Sequence, residues 1–448
     1  MGRPLTRVAA AGLQDAMSFD QIAALVVLVA VVAVMIHGKL RSDVVALSGA
    51  AALLLLGVIR PVEVQGAFAS PAVIALASLF VIAYAIELSG LLGLMIRQAT
   101  RLCARLGELG LWLAIVFCGG ASAFLNNTPI VVLAAPLVKD VAQGMNLSPK
   151  KFLIPLSYVS IMGGTCTLIG TSTNLLVNDM ARNSGQPVFG LFEATPVALV
   201  IALFGGLYLY FMGGRLLNRG DEAPGTVLPQ KQTGDGHLGD PAMFAAADRP
   251  FDLKRSLIAL GVFVLVVMAS GFGVAPIAAA AFAGAVVLIL LRVISPDEAY
   301  AGLRPEVLLL IAGMVVVGLA IQVTGLADQG ATLLIDAIRP LGPLGALIIL
   351  YGVTLFATEL LSNVAVAVLI TPVAVALATS LGVDPRPFLV GVMMAASAAF
   401  ATPFGYQTNV IVFQLGGYSY MDFVRVGVPL NLITWVAAMI AIPVFFPF

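Results

Sequence analysis

The sequence predicts an all-α polytopic membrane protein built from two inverted repeats of five transmembrane helices, each repeat with a re-entrant hairpin and a broken helix. Hydrophobic residues make up 60% of the 448 residues and charged residues only 10%, which is typical of chains that span a bilayer. A motif of small and polar residues also recurs in the two halves. Because apolar stretches surround both copies in the same order, the chain is predicted to be an internal duplication.

Each half contains five apolar stretches long enough to span a bilayer, at about 20 residues per spanning helix. In the first half these predicted spans are 19–36, 43–59, 70–95, 152–181 and 192–213. In the second half they are 255–272, 275–293, 305–326, 386–415 and 426–446.

Two further apolar stretches, about 109–143 and 342–382, are interrupted in the middle by the recurring motif. Backbone polar groups freed from a helix at membrane depth are tolerated only where they are buried in protein or line a cavity. We therefore predict a re-entrant helical hairpin in each stretch. Glycines also interrupt the fourth span of each half, at Gly170 and Gly405.

The two motifs have the same spacing. Asn127 follows Ser122 by five positions, and Asn363 follows Thr358 by the same interval. Helix N-termini inside a membrane favour anions, and unwound carbonyls favour cations. The paired motifs therefore predict one site that binds an anion and a cation together. Neither motif supplies a Lys or Arg, so a co-bound cation is expected to neutralise a divalent anion.

An odd number of spans per half places the second half upside-down relative to the first. The positive-inside rule then makes the Lys- and Arg-rich loops cytoplasmic and puts both termini outside. The first hairpin is predicted to enter from the cytoplasm and the second from outside. The resulting organisation is an outer N-terminal segment 1–18, a first repeat 19–215, a cytoplasmic linker 216–253 and a second repeat 254–448.

Several functional classes are disfavoured. The net charge is zero, so a nucleic-acid partner has no basic surface to bind. With two histidines and three cysteines, a metal other than the coupling ion or another cofactor is not expected. An enzyme is also disfavoured, because the sequence shows no candidate nucleophile with a base near it. Glu359 is the acid inside the motifs, and its counterpart is Ala123. A structural carboxylate and direct ion or proton coupling are both kept open for Glu359.

The paired motifs resemble the divalent-anion:sodium symporter family, whose members carry dicarboxylates, citrate and sulfate and which belongs to a wider ion-transporter superfamily. That family has a Ser-Asn-Thr triplet in each hairpin, followed by a broken helix. Here the triplets are Asn126-Asn127-Thr128 and Ser362-Asn363-Val364. Each triplet keeps the central Asn and departs from the family pattern at one flank.

The resemblance implies one sodium ion between each hairpin and the facing helix break, and an anion between the two triplets. The residues it implies at sodium are Ser122, Asn127, Gly170, Thr358, Asn363 and Gly405. The residues it implies at the substrate are Asn126, Asn127, Thr128, Ser362, Asn363, Val364, Thr173 and Thr408.

The resemblance also implies a homodimeric, sodium-coupled symporter in the plasma (cell inner) membrane that works by an elevator-type motion. The missing hydroxyl at Val364 and the run 404–409 favour sulfate or another inorganic oxyanion, with a C4 dicarboxylate as a close second. A sodium-independent anion exchanger, and an arsenite or sodium–proton antiporter of the same superfamily, are the alternatives.

Overall fold

The computed structural model describes residues 17–37, 39–104, 106–217, 251–327 and 341–448. Regular secondary structure in these ranges is helical throughout, without strands. Eight helices of the described part are long and apolar enough to cross a membrane. The prediction of an all-α polytopic membrane chain is therefore confirmed. Most of the predicted segments 1–18 and 216–253 lies outside the described residues.

The first half contains ten helices within the described residues. They are α1 Phe19–His37, α2 Ser42–Leu55, α3 Pro61–Phe68, α4 Pro71–Leu88, α5 Leu91–Ala104, α6 Glu108–Ser122, α7 Asn127–Gly144, α8 Lys150–Gly164, α9 Ser172–Asn183 and α10 Thr195–Tyr208. A π-helical turn, Leu209–Gly213, and a final α-helical turn, Gly214–Leu217, continue α10.

The described part of the second half follows the same order. Its helices are α11 Leu253–Gly271, α12 Ile277–Leu290, α13 Pro296–Gly302, α14 Pro305–Val323, α15 Gly342–Leu360, α16 Asn363–Leu381, α17 Arg386–Ala396, α18 Gln407–Gly416 and α19 Tyr420–Phe445. The stretches predicted as hairpins form the helix pairs α6–α7 and α15–α16, and the predicted broken helices form α8–α9 and α17–α18.

The stretch predicted as a single span at 70–95 is two helices, because the chain turns after α4. Gly90 adopts a φ of 74°, a left-handed conformation that glycine adopts without a steric penalty. The Ser89 hydroxyl donates to Ile86 O at 2.7 Å and accepts from Leu91 N at 3.3 Å. The Ser89 hydroxyl thus bonds to the last turn of α4 and to the first residue of α5, at the turn between the two helices.

Helix contacts have the same pattern in both halves. Helix α2 packs against α14, and α12 packs against α4. Helix α6 packs against α8, and α15 packs against α17. Across the halves, α7 contacts α18 and α16 contacts α9. Each helix pair therefore lies beside the broken helix of the other half as well as its own.

Buried tyrosines fix the broken helices. Tyr158 on α8 donates its hydroxyl to Phe400 O at 2.5 Å, and its ring packs 5.0 Å from that of Phe400. The Tyr418 hydroxyl donates to Lys150 O at 2.6 Å and accepts from Ile154 N at 3.1 Å. These contacts hold the unwound segment after α17 and the start of α8 in place.

Candidate functional site

In each helix break, the side-chain amide of an asparagine donates hydrogen bonds to two backbone carbonyls of the unwound segment. The Asn174 amide donates to Thr165 O at 3.1 Å and to Thr167 O at 3.0 Å. The Asn409 amide donates to Ala399 O at 2.9 Å and to Thr402 O at 3.2 Å. Each asparagine thus ties two carbonyls of its unwound segment to the first turn of the helix that follows.

The connection between α6 and α7, which we call the first tip (residues 122–128), is organised around Asn127. The Ser122 hydroxyl donates to Asn127 Oδ1, and Asn127 Nδ2 donates to the Tyr406 hydroxyl at 3.1 Å. A Cβ added at Gly164 would lie 2.5 Å from Asn127 Oδ1. Glycine at the end of α8 therefore lets the backbone reach this amide.

Three backbone carbonyls converge on Gly170 in the first break. A Cβ at this position would lie 2.4 Å from Gly164 O, 2.7 Å from Ala123 O and 2.9 Å from Ser122 O. Unwound carbonyls and neutral side-chain oxygens are the groups that bind sodium in broken membrane helices. The residues that the resemblance implied at the first sodium, Ser122, Asn127 and Gly170, lie together around these oxygens.

The second tip, residues 358–364 between α15 and α16, repeats part of this arrangement. The Thr358 hydroxyl lies 2.7 Å from both Asn363 Oδ1 and Ala396 O. A Cβ at Gly405 would lie 2.9 Å from Thr402 Oγ1 and 3.3 Å from Glu359 Oε2. The second break therefore has a carboxylate beside it, whereas the first tip has Ala123 at the corresponding position.

Glu359 accepts hydrogen bonds on both carboxylate oxygens. Its Oε1 accepts from Ala401 N at 2.7 Å and from Asn431 Nδ2 at 2.8 Å, and its Oε2 accepts from Thr402 Oγ1 at 2.9 Å. The carboxylate thus joins the second break to α19. These bonds favour the structural alternative for Glu359, and its proximity to Gly405 keeps ion coupling open.

A cavity of about 290 Å³ lies between the two tips. Six of the residues implied at the substrate line it: Asn126, Thr128, Thr173, Ser362, Asn363 and Val364. Asn127 instead lines a smaller cavity of about 60 Å³, together with Gly170. Thr408 lines neither cavity, because it is buried and accepts a hydrogen bond from Ser157 at 2.8 Å.

Several residues that were not predicted as site residues also line the larger cavity, among them Arg304, Tyr406, Gln407 and Glu359. The Arg304 guanidinium lies 5.9 Å from the centre of the Phe80 ring, and it takes part in none of the ion pairs found among the described residues. Arg304 precedes a span, so the sequence indicated only a loop charge. Tyr406 and Gln407 belonged to the run 404–409, whose local pattern did not indicate contact with the first tip.

Comparison with known proteins agrees with this architecture. The family model for citrate transporters matches residues 29–387 and 361–447. An uncharacterized transporter of Synechocystis is 24% identical over 88% of this chain and 92% of its own length. A Chlamydomonas reinhardtii protein named as a probable sodium/sulfate cotransporter is 42% identical over 20% of this chain and 11% of its own length.

The solved structure of Neisseria gonorrhoeae MtrF, described as illuminating a class of antimetabolite efflux pumps, superposes with a TM-score of 0.59. The match covers 97% of this chain and 96% of MtrF at 12% identity, so it shows a shared fold alone. The family match extends over nearly all of the chain. The chain therefore belongs to the citrate transporter family, a multi-pass membrane transporter family, and the resemblance to divalent-anion:sodium symporters is confirmed.

Proposed function

We propose that this protein is a secondary active transporter that carries a small divalent anion together with sodium ions, with sulfate or a related oxyanion favoured over a C4 dicarboxylate. The observation that carries the proposal is the pair of tips on either side of one cavity. Each tip pairs a hydroxyl with an asparagine, at Ser122–Asn127 and Thr358–Asn363, and each faces an unwound helix.

Two helix N-termini border the cavity and suit an anion. Asn126 caps α7 by accepting from Thr128 N at 3.2 Å, and Ser362 caps α16 by accepting from Ala365 N at 3.3 Å. The N-terminal end of a helix carries partial positive charge and amide donors that favour anions. Arg304 adds a full positive charge to the same cavity. An anion between the tips would meet a helix N-terminus from each half, while the Glu359 carboxylate in the same cavity accepts hydrogen bonds from Ala401, Thr402 and Asn431.

Sodium coupling rests on the oxygen atoms beside the breaks. The carbonyls around Gly170 and the amide oxygen of Asn127 are neutral ligands of the kind that holds sodium in unwound helices. A dianion in a low-dielectric cavity is costly without neutralising charge. The Glu359 carboxylate lines the same cavity and offsets the charge of Arg304, so the charge of a dianion is left to be balanced by co-bound sodium and the helix N-termini. The name of the sodium/sulfate cotransporter relative supports the same ions.

The matched helix contacts support two inverted repeats with re-entrant hairpins, and an elevator-type motion of the tips and breaks as one unit is part of the proposal. The proposal also includes a homodimer and a topology in which both termini lie outside. The Glu359 carboxylate beside Gly405 favours one second candidate, a carrier of the same architecture in which a proton or other cation binds at the second break.

The test is uptake of radiolabelled sulfate into proteoliposomes under an inward sodium gradient, with choline in place of sodium as the reference. Succinate and citrate are measured in parallel. We expect sodium-dependent sulfate uptake that Asn127→Ala and Asn363→Ala abolish. Thr379→Ala is the control, because its hydroxyl bonds only within α16, to Val375 O at 2.8 Å. Sulfate uptake that ignores sodium and requires preloaded anion would refute symport in favour of exchange.

A further inference from the structure

The two halves of the anion site differ at the start of the helix that follows each break. The first break continues from Gly170 with Thr171 and Ser172, whereas the second continues from Gly405 with Tyr406 and Gln407. Two large side chains therefore stand where the first half has two small hydroxyl residues. Both of the large side chains line the cavity between the tips.

Tyr406 and Gln407 reach across to the first tip. The Tyr406 hydroxyl accepts a hydrogen bond from Asn127 Nδ2 at 3.1 Å and lies 3.4 Å from Thr171 Oγ1. Gln407 Oε1 accepts from Thr128 Oγ1 at 3.0 Å. The two polar side chains of the first triplet that follow Asn126 are thus bound to protein atoms of the second half.

Because of these contacts, the first triplet is less exposed than the second at its central asparagine. Asn127 and Thr128 are each 2% exposed. Asn363, the counterpart of Asn127, is only partly buried and lines the larger cavity. The polar groups that line the cavity and are only partly buried therefore include the second tip, the cap Asn126 and Ser172 of the first break, whereas Asn127 and Thr128 are bound to the second half.

An extended dicarboxylate needs hydrogen-bond donors at both ends of its chain, whereas a tetrahedral oxyanion presents all its oxygens around one centre. The cavity volume of about 290 Å³ also lies just below the roughly 300–1,000 Å³ that ligand pockets commonly enclose. A compact anion can be served by the second tip, the helix caps and Arg304 without displacing Tyr406 or Gln407.

We propose that Tyr406 and Gln407 are specificity-determining residues, which restrict the site to a compact tetrahedral oxyanion by occupying the side of the cavity that a second carboxylate would need. This inference rests on the proposed anion transport. It assigns selectivity to the second break, whose side chains engage the first tip.

The test gives the second break the residues of the first, in the double variant Tyr406→Thr, Gln407→Ser. Uptake of sulfate and of succinate is measured in proteoliposomes under a sodium gradient. We expect kcat/KM for succinate relative to sulfate to rise by roughly tenfold or more, the size of discrimination that a change in pocket shape produces. The single variants should shift the ratio in the same direction by less, and they serve if the double variant folds poorly.

The matched control is Tyr300→Thr, Gln143→Ser, which makes the same exchanges at two exposed positions outside the cavity. The control should leave the ratio unchanged. An equal loss of both activities in the double variant would reduce Tyr406 and Gln407 to structural contacts, and an unchanged ratio would likewise overturn the inference. Wild-type protein that takes up neither anion would refute the proposed function itself, and this inference with it.

Discussion

The first break allows a sharp test of the proposed sodium site, because a single added methyl group would lie against its carbonyl oxygens. In Gly170→Ala the new Cβ would lie 2.4, 2.7 and 2.9 Å from the carbonyl oxygens of Gly164, Ala123 and Ser122. All three neighbours are backbone atoms, so a side-chain rotation cannot relieve the clash. Overpacking of this kind costs about 1–3 kcal/mol.

The strain should appear in sodium affinity if these carbonyls bind the ion. A change of about 1.4 kcal/mol is tenfold in an equilibrium constant, so we expect the sodium concentration for half-maximal sulfate uptake to rise by roughly tenfold or more. The measurement is initial uptake rate against external sodium in proteoliposomes. Gly120→Ala is the matched control, because its Cβ would meet no atom within 4 Å. A sodium dependence in Gly170→Ala equal to that of the control would refute the assignment of these carbonyls to sodium.

Three further variants test other parts of the site. Arg304→Gln should raise the KM for sulfate by roughly tenfold, because it removes a charge that attracts the anion. Arg304→Lys should retain most of the affinity, and the control Arg292→Gln, at an exposed position, should leave the KM unchanged. An unaltered KM in Arg304→Gln would show that Arg304 does not contribute to anion binding. Glu359→Gln should retain folding and sodium-dependent uptake because an amide oxygen can accept from Ala401 N and Asn431, and loss of sodium dependence would instead show that the carboxylate charge takes part in coupling. Asn409→Ala should lower the free energy of unfolding by about 1–3 kcal/mol, since carbonyls of the second break lose their donor, and thermal denaturation in detergent would contradict this if it matched wild type.

Much of the fold was predictable because apolar runs and their interruptions are local signals. The stretches 109–143 and 342–382 correspond to the pairs α6–α7 and α15–α16 within a few residues. The short helices α3 and α13 were missed because eight and seven residues carry too little periodicity to stand out. The turn at Ser89 and Gly90 was missed because the hydrophobicity of 70–95 continues through it.

The candidate site was predictable where its residues recur in both motifs. Ser122, Asn127, Thr358 and Asn363 lie together in the pairs that their spacing indicated. The contact of Tyr406 with Asn127 joins residues 279 positions apart in sequence, and no local pattern encodes such a contact. Arg304 had the sequence features of a loop charge, and only packing of the helices places it beside the cavity.

The hydrogen bonds across the halves mean that neither half is a domain in its own right. A first half standing alone would leave Asn127, Thr128 and Ser157 without the groups they contact in the second. Polar groups stranded in an apolar interior cost several kcal/mol each. The two halves are thus distinct along the sequence, but they pack together without separation. Each half therefore supplies partners for buried polar groups of the other, and the two halves form one packed unit.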